Sequence, residues 1–302
     1  MSSSHPFFFM PCSGWNIRSA SIRVGAVAVF ALLAGCEGEV TMDLATEPPA
    51  NPDIDQVVAS VRGVEFTTSG GGTETLEFTA AQQLDFMDYA DDDNVLRLFT
   101  SEELSEGNYT GVRLLFDEDE ADNAFVTTVA GTEFPMTIAT GEYAPMSFSV
   151  EDRESNSESF TLLFDLRQSL SFDDGDDEYT LTPVLRAVET GEASRIEGDL
   201  SVTCPAGDSL GQGAVYLFEG ENVTPDDLDN TGVEPFATAP VFTSQTDGSF
   251  FYALRWLPEG DYTLTVSCIG NDDDPATDED LEFRNTRNVQ LDSSENLIVD
   301  VP

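Results

Sequence analysis

Carboxylates and cysteines are the side chains with chemistry to offer in this chain of 302 residues, which has 58 acids, four cysteines, one histidine and no lysine. Two carboxylates at a suitable separation would supply the acid and the base or nucleophile of a glycosidase. With so many acids some pair always stands at that distance, so no pair is singled out. The one histidine, His5, lies in a leader expected to be removed. Without histidine or lysine there is no imidazole base, no Schiff-base amine and no Ser-His-Asp set. Histidine-ligated zinc is excluded on the same ground. No catalytic residue, metal ligand or cofactor is assigned, and the chain is expected not to be an enzyme.

Cys36 is the first cysteine with a role. Arg18 and Arg23 precede the apolar run from Val24 to Ala34, and the run ends in Leu33-Ala34-Gly35-Cys36. Such a run is too short to span a bilayer, which takes about 20 apolar residues, but it suits a signal-peptide core. The ending resembles the lipobox of bacterial lipoproteins. That resemblance implies a lipoprotein signal peptide over 1–35, lipidation of the Cys36 thiol and a membrane anchor through that lipid. A free cysteine after an apolar helix is the alternative. Glu37 stands where aspartate often favours inner-membrane retention, so the expected address is the cell envelope, at the outer membrane.

Cys204 and Cys268 form a second pair. Leu200, Val202 and Cys204 alternate onto one strand face, and Cys268 continues the face of Tyr262, Leu264 and Val266. In an oxidising compartment a disulfide is expected, with two buried thiols as the alternative. The acidic runs "DEDEADN" (Asp117–Asn123), "DDGDDE" (Asp173–Glu178) and "NDDDPATDEDLE" (Asn271–Glu282) invite calcium, which takes six to eight oxygens. None has the spacing of a calcium-binding hand loop, so hydrated turns are expected and weak calcium sites are the alternative. Asp165 and Arg167 in "FDLRQSL" read as a surface ion pair on one strand face. Tyr252 and Trp256 have the chemistry to stack on a sugar ring, although the indole also fits the core.

After removal of 1–35, ten arginines would face 58 acids, a formal charge of −48. That excludes nucleic acid and direct attraction to anionic lipid. At 40% hydrophobic residues the chain still has enough apolar content to fill a core.

The elements that position these residues are strands. "QVVASVRGVEF", "YTGVRLLF", "SFTLLFDL", "GAVYLFEG" and "YTLTVSC" are short, rich in β-branched and aromatic residues, and bounded by Gly, Asp and Asn. One helix is expected in "TAAQQLDFMDYA", around Ala80–Ala90. The phrase "LSEGNYTGVRLLF" (Leu104–Phe116) returns as "LPEGDYTLTVSCI" (Leu257–Ile269), each a tight turn feeding a half-buried strand. The repetition implies two domains on a similar plan, 36–191 and 192–302, divided in "ETGEAS" (Glu189–Ser194). The fold class expected is all-β, two β-sandwich domains in tandem after the signal peptide.

Two resemblances accompany these residues. "VRGVEF", "LSEGNYTGVRLLF" and "LLFDLRQSL...YTLTPVLRAVE" are similar to the bacterial lipoprotein family known as domain of unknown function 4382, over Val40 to Glu189. It implies a fold and an envelope location without an activity. "GAVYLFEG" and "TSQTDGSFFYALRWLPEGDYTLTVSC" resemble the carboxypeptidase regulatory-like, or transthyretin-like, sandwich over Arg195 to Pro302. The expected function is a non-enzymatic, lipid-anchored envelope protein acting as a binding, adhesion or structural module. The alternative is a calcium-dependent carbohydrate-binding surface lipoprotein. The partner expected is the membrane, through Cys36; a protein or glycan partner is not specified.

Overall fold

The computed structural model describes residues 38–90, 94–117, 124–151 and 157–302. Cys36, the expected signal peptide and residues 118–123 of the first acidic run lie outside them. In chain order the strands begin with β1 (Gly38–Glu47), β2 (Ile54–Thr68), β3 (Thr73–Asp85) and β4 (Leu96–Leu104). Then come β5 (Gly107–Phe116), β6 (Phe125–Thr128), β7 (Glu133–Ile138), β8 (Ala144–Val150) and β9 (Ser157–Asp165). A single helical turn, α1 (Leu166–Ser169), leads to β10 (Leu170–Asp173), β11 (Glu178–Leu181) and β12 (Leu185–Glu189). The C-terminal strands are β13 (Ser194–Leu200), β14 (Ala214–Glu219), β15 (Ala237–Pro240) and β16 (Phe242–Thr243). They end with β17 (Phe250–Leu257), β18 (Gly260–Ser267), β19 (Phe283–Leu291) and β20 (Asn296–Ile298).

The all-β expectation holds. One sheet runs β12-β9-β1-β4 and faces a larger one, β10-β11-β7-β6-β2-β5-β8, with β3 added on β2. The remaining strands form sheets β16-β17-β13-β20 and β15-β14-β18-β19. No sheet among the described residues mixes strands from before Glu189 with strands after Ser194, and each half has its own apolar core. The described residues from Gly38 to Pro302 nonetheless pack as one compact unit.

Strand β2 shows how the sequence sets this up. Val57, Ala59 and Val61 point into the core, and then Val64 and Phe66 do, so the inward parity changes from odd to even. A bulge between Val61 and Gly63 makes that change, one extra residue turning the following side chains over. Gly63 is required there, because a Cβ would stand 2.1 Å from the Leu76 carbonyl oxygen.

The repeated phrase has a common structural cause. The Tyr109 hydroxyl donates to the Ser105 carbonyl at 2.8 Å, and the Tyr262 hydroxyl donates to the Pro258 carbonyl at 2.9 Å. Each buried tyrosine reaches back four residues and pins the turn that precedes its strand, as in the tyrosine corner of β-sandwiches.

Two local expectations are corrected. The helix around Ala80–Ala90 is instead the end of β3 followed by a 3₁₀ turn at Phe86–Tyr89, which Asp85 caps by accepting from the Met87 amide. Pairing with β2 from Thr73 to Asp85 outweighs the helix preference of the Ala and Gln residues. Strand β18 is buried on both faces rather than one: Thr263, Thr265 and Ser267 are as enclosed as Leu264. The segment after β14 lies over them, with the Val223 amide on the Thr263 hydroxyl at 3.1 Å.

Candidate binding cleft

The site begins with charges in the interior. Asp165 ends β9 and caps α1, accepting from the Gln168 amide at 3.1 Å and from its side-chain amide at 2.9 Å. The cap turns the chain so that Arg167 enters the C-terminal half. There Nη1 donates to the Gly270 carbonyl at 2.6 Å and Nη2 to Asn271 Oδ1 at 3.3 Å. From β12, Arg186 sits 3.5 Å from Asp165 and donates to the carbonyls of Phe236, at 3.1 Å, and Arg255. From β17, Arg255 returns the contact, donating to the carbonyls of Thr46 at 3.0 Å and Ala90 at 2.9 Å. Its guanidinium stands 3.7 Å from the Glu47 carboxylate.

All five of these charged side chains are buried. Asp165 and Arg167 are therefore not the surface pair on a strand that the sequence suggested. They leave the strand at the α1 turn, and Asp165 pairs with Arg186 instead. A planar guanidinium suits this junction because its several donors let each arginine satisfy two acceptors of the opposite half at once. Burial pushes the Glu47 carboxyl up to about 8, with Arg255 drawing it down only in part. Burial also raises Asp165 and lowers Arg186, each opposed by the attraction between them.

By fixing Gly270 and Asn271, Arg167 sets one wall of a cleft of about 700 Å³, in which Asn271–Asp274 face the segment Pro49–Ile54 and the β6–β7 turn. The cleft has an aromatic floor. Phe134, Phe172 and Tyr179 meet there with ring centroids 4.7 to 5.8 Å apart. Burial raises the Tyr179 phenol, against a hydrogen bond from Asn51, and Asp274 raises it further. Asp53 and Asp272 are exposed at the rim, Asp274 is half-buried, and no arginine is among the residues that line the cavity.

Behind Asp272 one carboxylate of the third acidic run, Asp273, turns inward, while Asp278, Asp280 and Glu282 stay exposed. Asp273 accepts from the Tyr216 hydroxyl at 2.7 Å and the Leu228 amide at 3.1 Å. Asp227 accepts from the Glu279 amide at 2.6 Å, and burial pushes Asp273 up to about 6. Carboxylate oxygens of Asp227, Asp273 and Glu279 lie within 4.8 Å of one another, as do those of Asp227, Asp229 and Asp278. These groups have the donor chemistry for a hard cation, yet several of their oxygens already serve as acceptors that tie two loops together. The run Asp173–Glu178 forms an exposed turn, with the Gly175 amide on Asp173 at 2.7 Å.

Cys204 and Cys268 are joined in a disulfide that links the end of β18 to the segment after β13. Tyr252 is core, its hydroxyl donating to the Val299 carbonyl at 2.8 Å. Trp256 is not. It adopts a left-handed backbone with φ of 52° at a bulge opposite Arg195, and so Leu254 and Leu257 both face the core while the indole turns to a smaller cavity of about 270 Å³. Plain alternation along the strand did not reveal that bulge.

The first half has a family counterpart. Residues 37–183 match a domain of unknown function (DUF4382). That agrees with the resemblance read from Val40 to Glu189. No curated protein sequence matches the chain. Among solved structures, the Bacillus anthracis TIE protein is 9% identical, with 87% of this chain and 34% of that one covered at a TM-score of 0.20. The present chain spans about a third of that protein's length. The fimbrial anchor protein Mfa2 from Porphyromonas gingivalis is 11% identical, with 78% and 80% covered at a TM-score of 0.20. A fimbrial protein from Bacteroides ovatus ATCC 8483 is 8% identical, with 88% and 49% covered at a TM-score of 0.18. Likeness this slight carries no functional argument. Among the described residues no helix is long and apolar enough to cross a membrane.

Proposed function

We propose a lipid-anchored, non-enzymatic protein of the bacterial cell envelope that acts as a binding, adhesion or structural module. Its anchor is the acylated Cys36 at the outer membrane, and 192–302 is a transthyretin-like sandwich fused to the DUF4382 domain. What carries the binding reading is the pre-formed cleft, one wall of which Arg167 holds from the other half of the chain. A wall fixed before the ligand arrives spares the ordering cost that weakens flexible sites. The apolar run before Cys36, and a mature composition without histidine or lysine, support the address and the non-enzymatic role.

Fractionation of the native host tests the anchor. The protein should sediment with outer membranes, and Cys36→Ala should accumulate as an unprocessed precursor. Normal processing and membrane recovery of that variant would sink the lipoprotein reading. Co-purification of the intact protein from its membrane would identify a partner.

The second reading, a calcium-dependent carbohydrate-binding surface lipoprotein, draws on the group Asp227, Asp273 and Glu279. Saturable glycan binding that disappears in chelator would favour it over the first.

A further inference from the structure

We propose that the cleft above Phe134, Phe172 and Tyr179 binds an organic cation, a protonated amine or guanidinium carried on an apolar stem. This deepens the binding-module reading and rests on it.

Size sets the first constraint. A cavity of about 700 Å³ falls in the range of sites for small molecules or single side chains. The floor sets the second. Three aromatic rings packed against one another offer apolar surface for a stem and, on any open face, the negative quadrupole that attracts a cation within about 6 Å of the ring centre. The rim sets the sign: Asp53, Asp272 and Asp274 line it, with no arginine in the lining to offset them, while the buried Asp273 carboxylate is committed to Tyr216 and Leu228. Arg167 lies behind this wall, committed to the Gly270 carbonyl and Asn271. An anion would meet carboxylates on both facing segments, Asp53 on one and Asp272 and Asp274 on the other. A bare divalent ion would seek six to eight oxygens and leave the rings unused. A cation with an apolar stem uses both features, and the side-chain amide of Gln212 adds a polar partner at the edge.

Such a group comes either from a basic side chain of a partner polypeptide or from a free polyamine. Isothermal titration of the purified protein separates these sources. The probes are an end-blocked Gly-Lys-Gly peptide, the same peptide with its lysine acetylated, and spermidine. Sodium chloride at about 0.3 M suppresses diffuse attraction to the acidic surface. We expect saturable binding of at least one amine probe and none of the acetylated peptide. Saturation by the peptide points to a partner's side chain, and saturation by spermidine alone to a free polyamine.

Asp272→Asn with Asp274→Asn should weaken binding at least ~10-fold, and Phe172→Leu, which keeps the apolar volume, about 3- to 30-fold. Removing two exposed charges outside the cleft, by Glu102→Gln with Glu106→Gln, should leave it unchanged. Should Phe172→Leu fail to melt cooperatively, the rim pair decides alone. The proposal is overturned if neither amine saturates, if the acetylated peptide binds equally, or if the remote pair weakens binding as much as the rim pair. Membrane partition is read separately from this titration, so the anchor and the cleft can fail independently.

Discussion

Arg167 and Gly270 stand 103 residues apart in the chain and are joined by one buried hydrogen bond of 2.6 Å. The bond is charge-assisted and lies where water is excluded, so its loss leaves a carbonyl without its donor. Arg167→Met keeps the length and apolar stem while removing every donor. A loss of about 2–4 kcal/mol is expected, read as a lower denaturant midpoint at unchanged slope. Amide exchange over residues 270–274 should quicken. Arg167→Lys should recover only part of the loss, because a point charge lacks the guanidinium fork. A midpoint that does not move in Arg167→Met would show that the two halves hold together without this clamp.

Glu47 links the same junction to pH. Its carboxyl is pushed up to about 8 from an ordinary 4.5 by burial, although Arg255 lowers it. The folded chain thus holds this proton more tightly than the unfolded chain. The associated stability is fully present below about 4.5 and is lost as pH rises through about 8. Asp273, pushed up to about 6, acts with the same sign over a lower window. The melting temperature should therefore fall from pH 5 to pH 8.5. Glu47→Gln, a neutral mimic of the protonated form, should flatten the upper part of that fall and exceed the parent above pH 8, by up to about 4 kcal/mol. An unaltered slope would mean that Glu47 is ionised throughout, balanced by its arginine neighbours.

The disulfide closes a loop whose ends are 64 residues apart. On the chain-entropy account, reduction should cost about 4 kcal/mol, mostly by freeing the unfolded chain. Peptide mapping without reductant should recover Cys204 linked to Cys268. Complete alkylation of both thiols in the unreduced protein would contradict the pairing.

What was legible in the sequence follows from what is local. Period-two alternation marked most strands, and the parity of Val202, Cys204, Val266 and Cys268 brought the two sulfurs to one core. The repeated turn phrase was visible, but its cause was not, because the hydroxyl bonds of Tyr109 and Tyr262 close only once each turn has folded. The cleft was invisible. Its walls come from segments more than 200 residues apart, such as Asp53 and Asp272, and no local pattern reports such a meeting. Asp165 and Arg167 were noticed and then misplaced, since a single turn of helix breaks the alternation that put them on the surface. For Trp256 the sequence left two readings open, and a one-residue bulge decides between them by turning the indole out of the core.

Salt and calcium together separate a hydrated acidic surface from a discrete ion site. With 58 acids and only arginine as counterweight, carboxylate repulsion should weaken the compact state in dilute buffer. Raising salt from about 0.01 M to 1 M shortens the Debye length from ~30 Å to ~3 Å and should remove most of that repulsion. The melting temperature should climb smoothly with sodium chloride. Calcium should then add little, because Asp273 already accepts from the Tyr216 hydroxyl and the Leu228 amide, and Asp227 from the Glu279 amide. Asp273→Ala removes two of these acceptor contacts and leaves the buried phenol of Tyr216 without its partner. It should cost about 1–3 kcal/mol with or without calcium. A real ion site would instead give saturable stabilisation that persists in molar sodium chloride, since a ligand held only by the folded state stabilises it by mass action. That stabilisation would vanish in Asp273→Ala, and seeing both results would move the calcium-dependent reading ahead of the first.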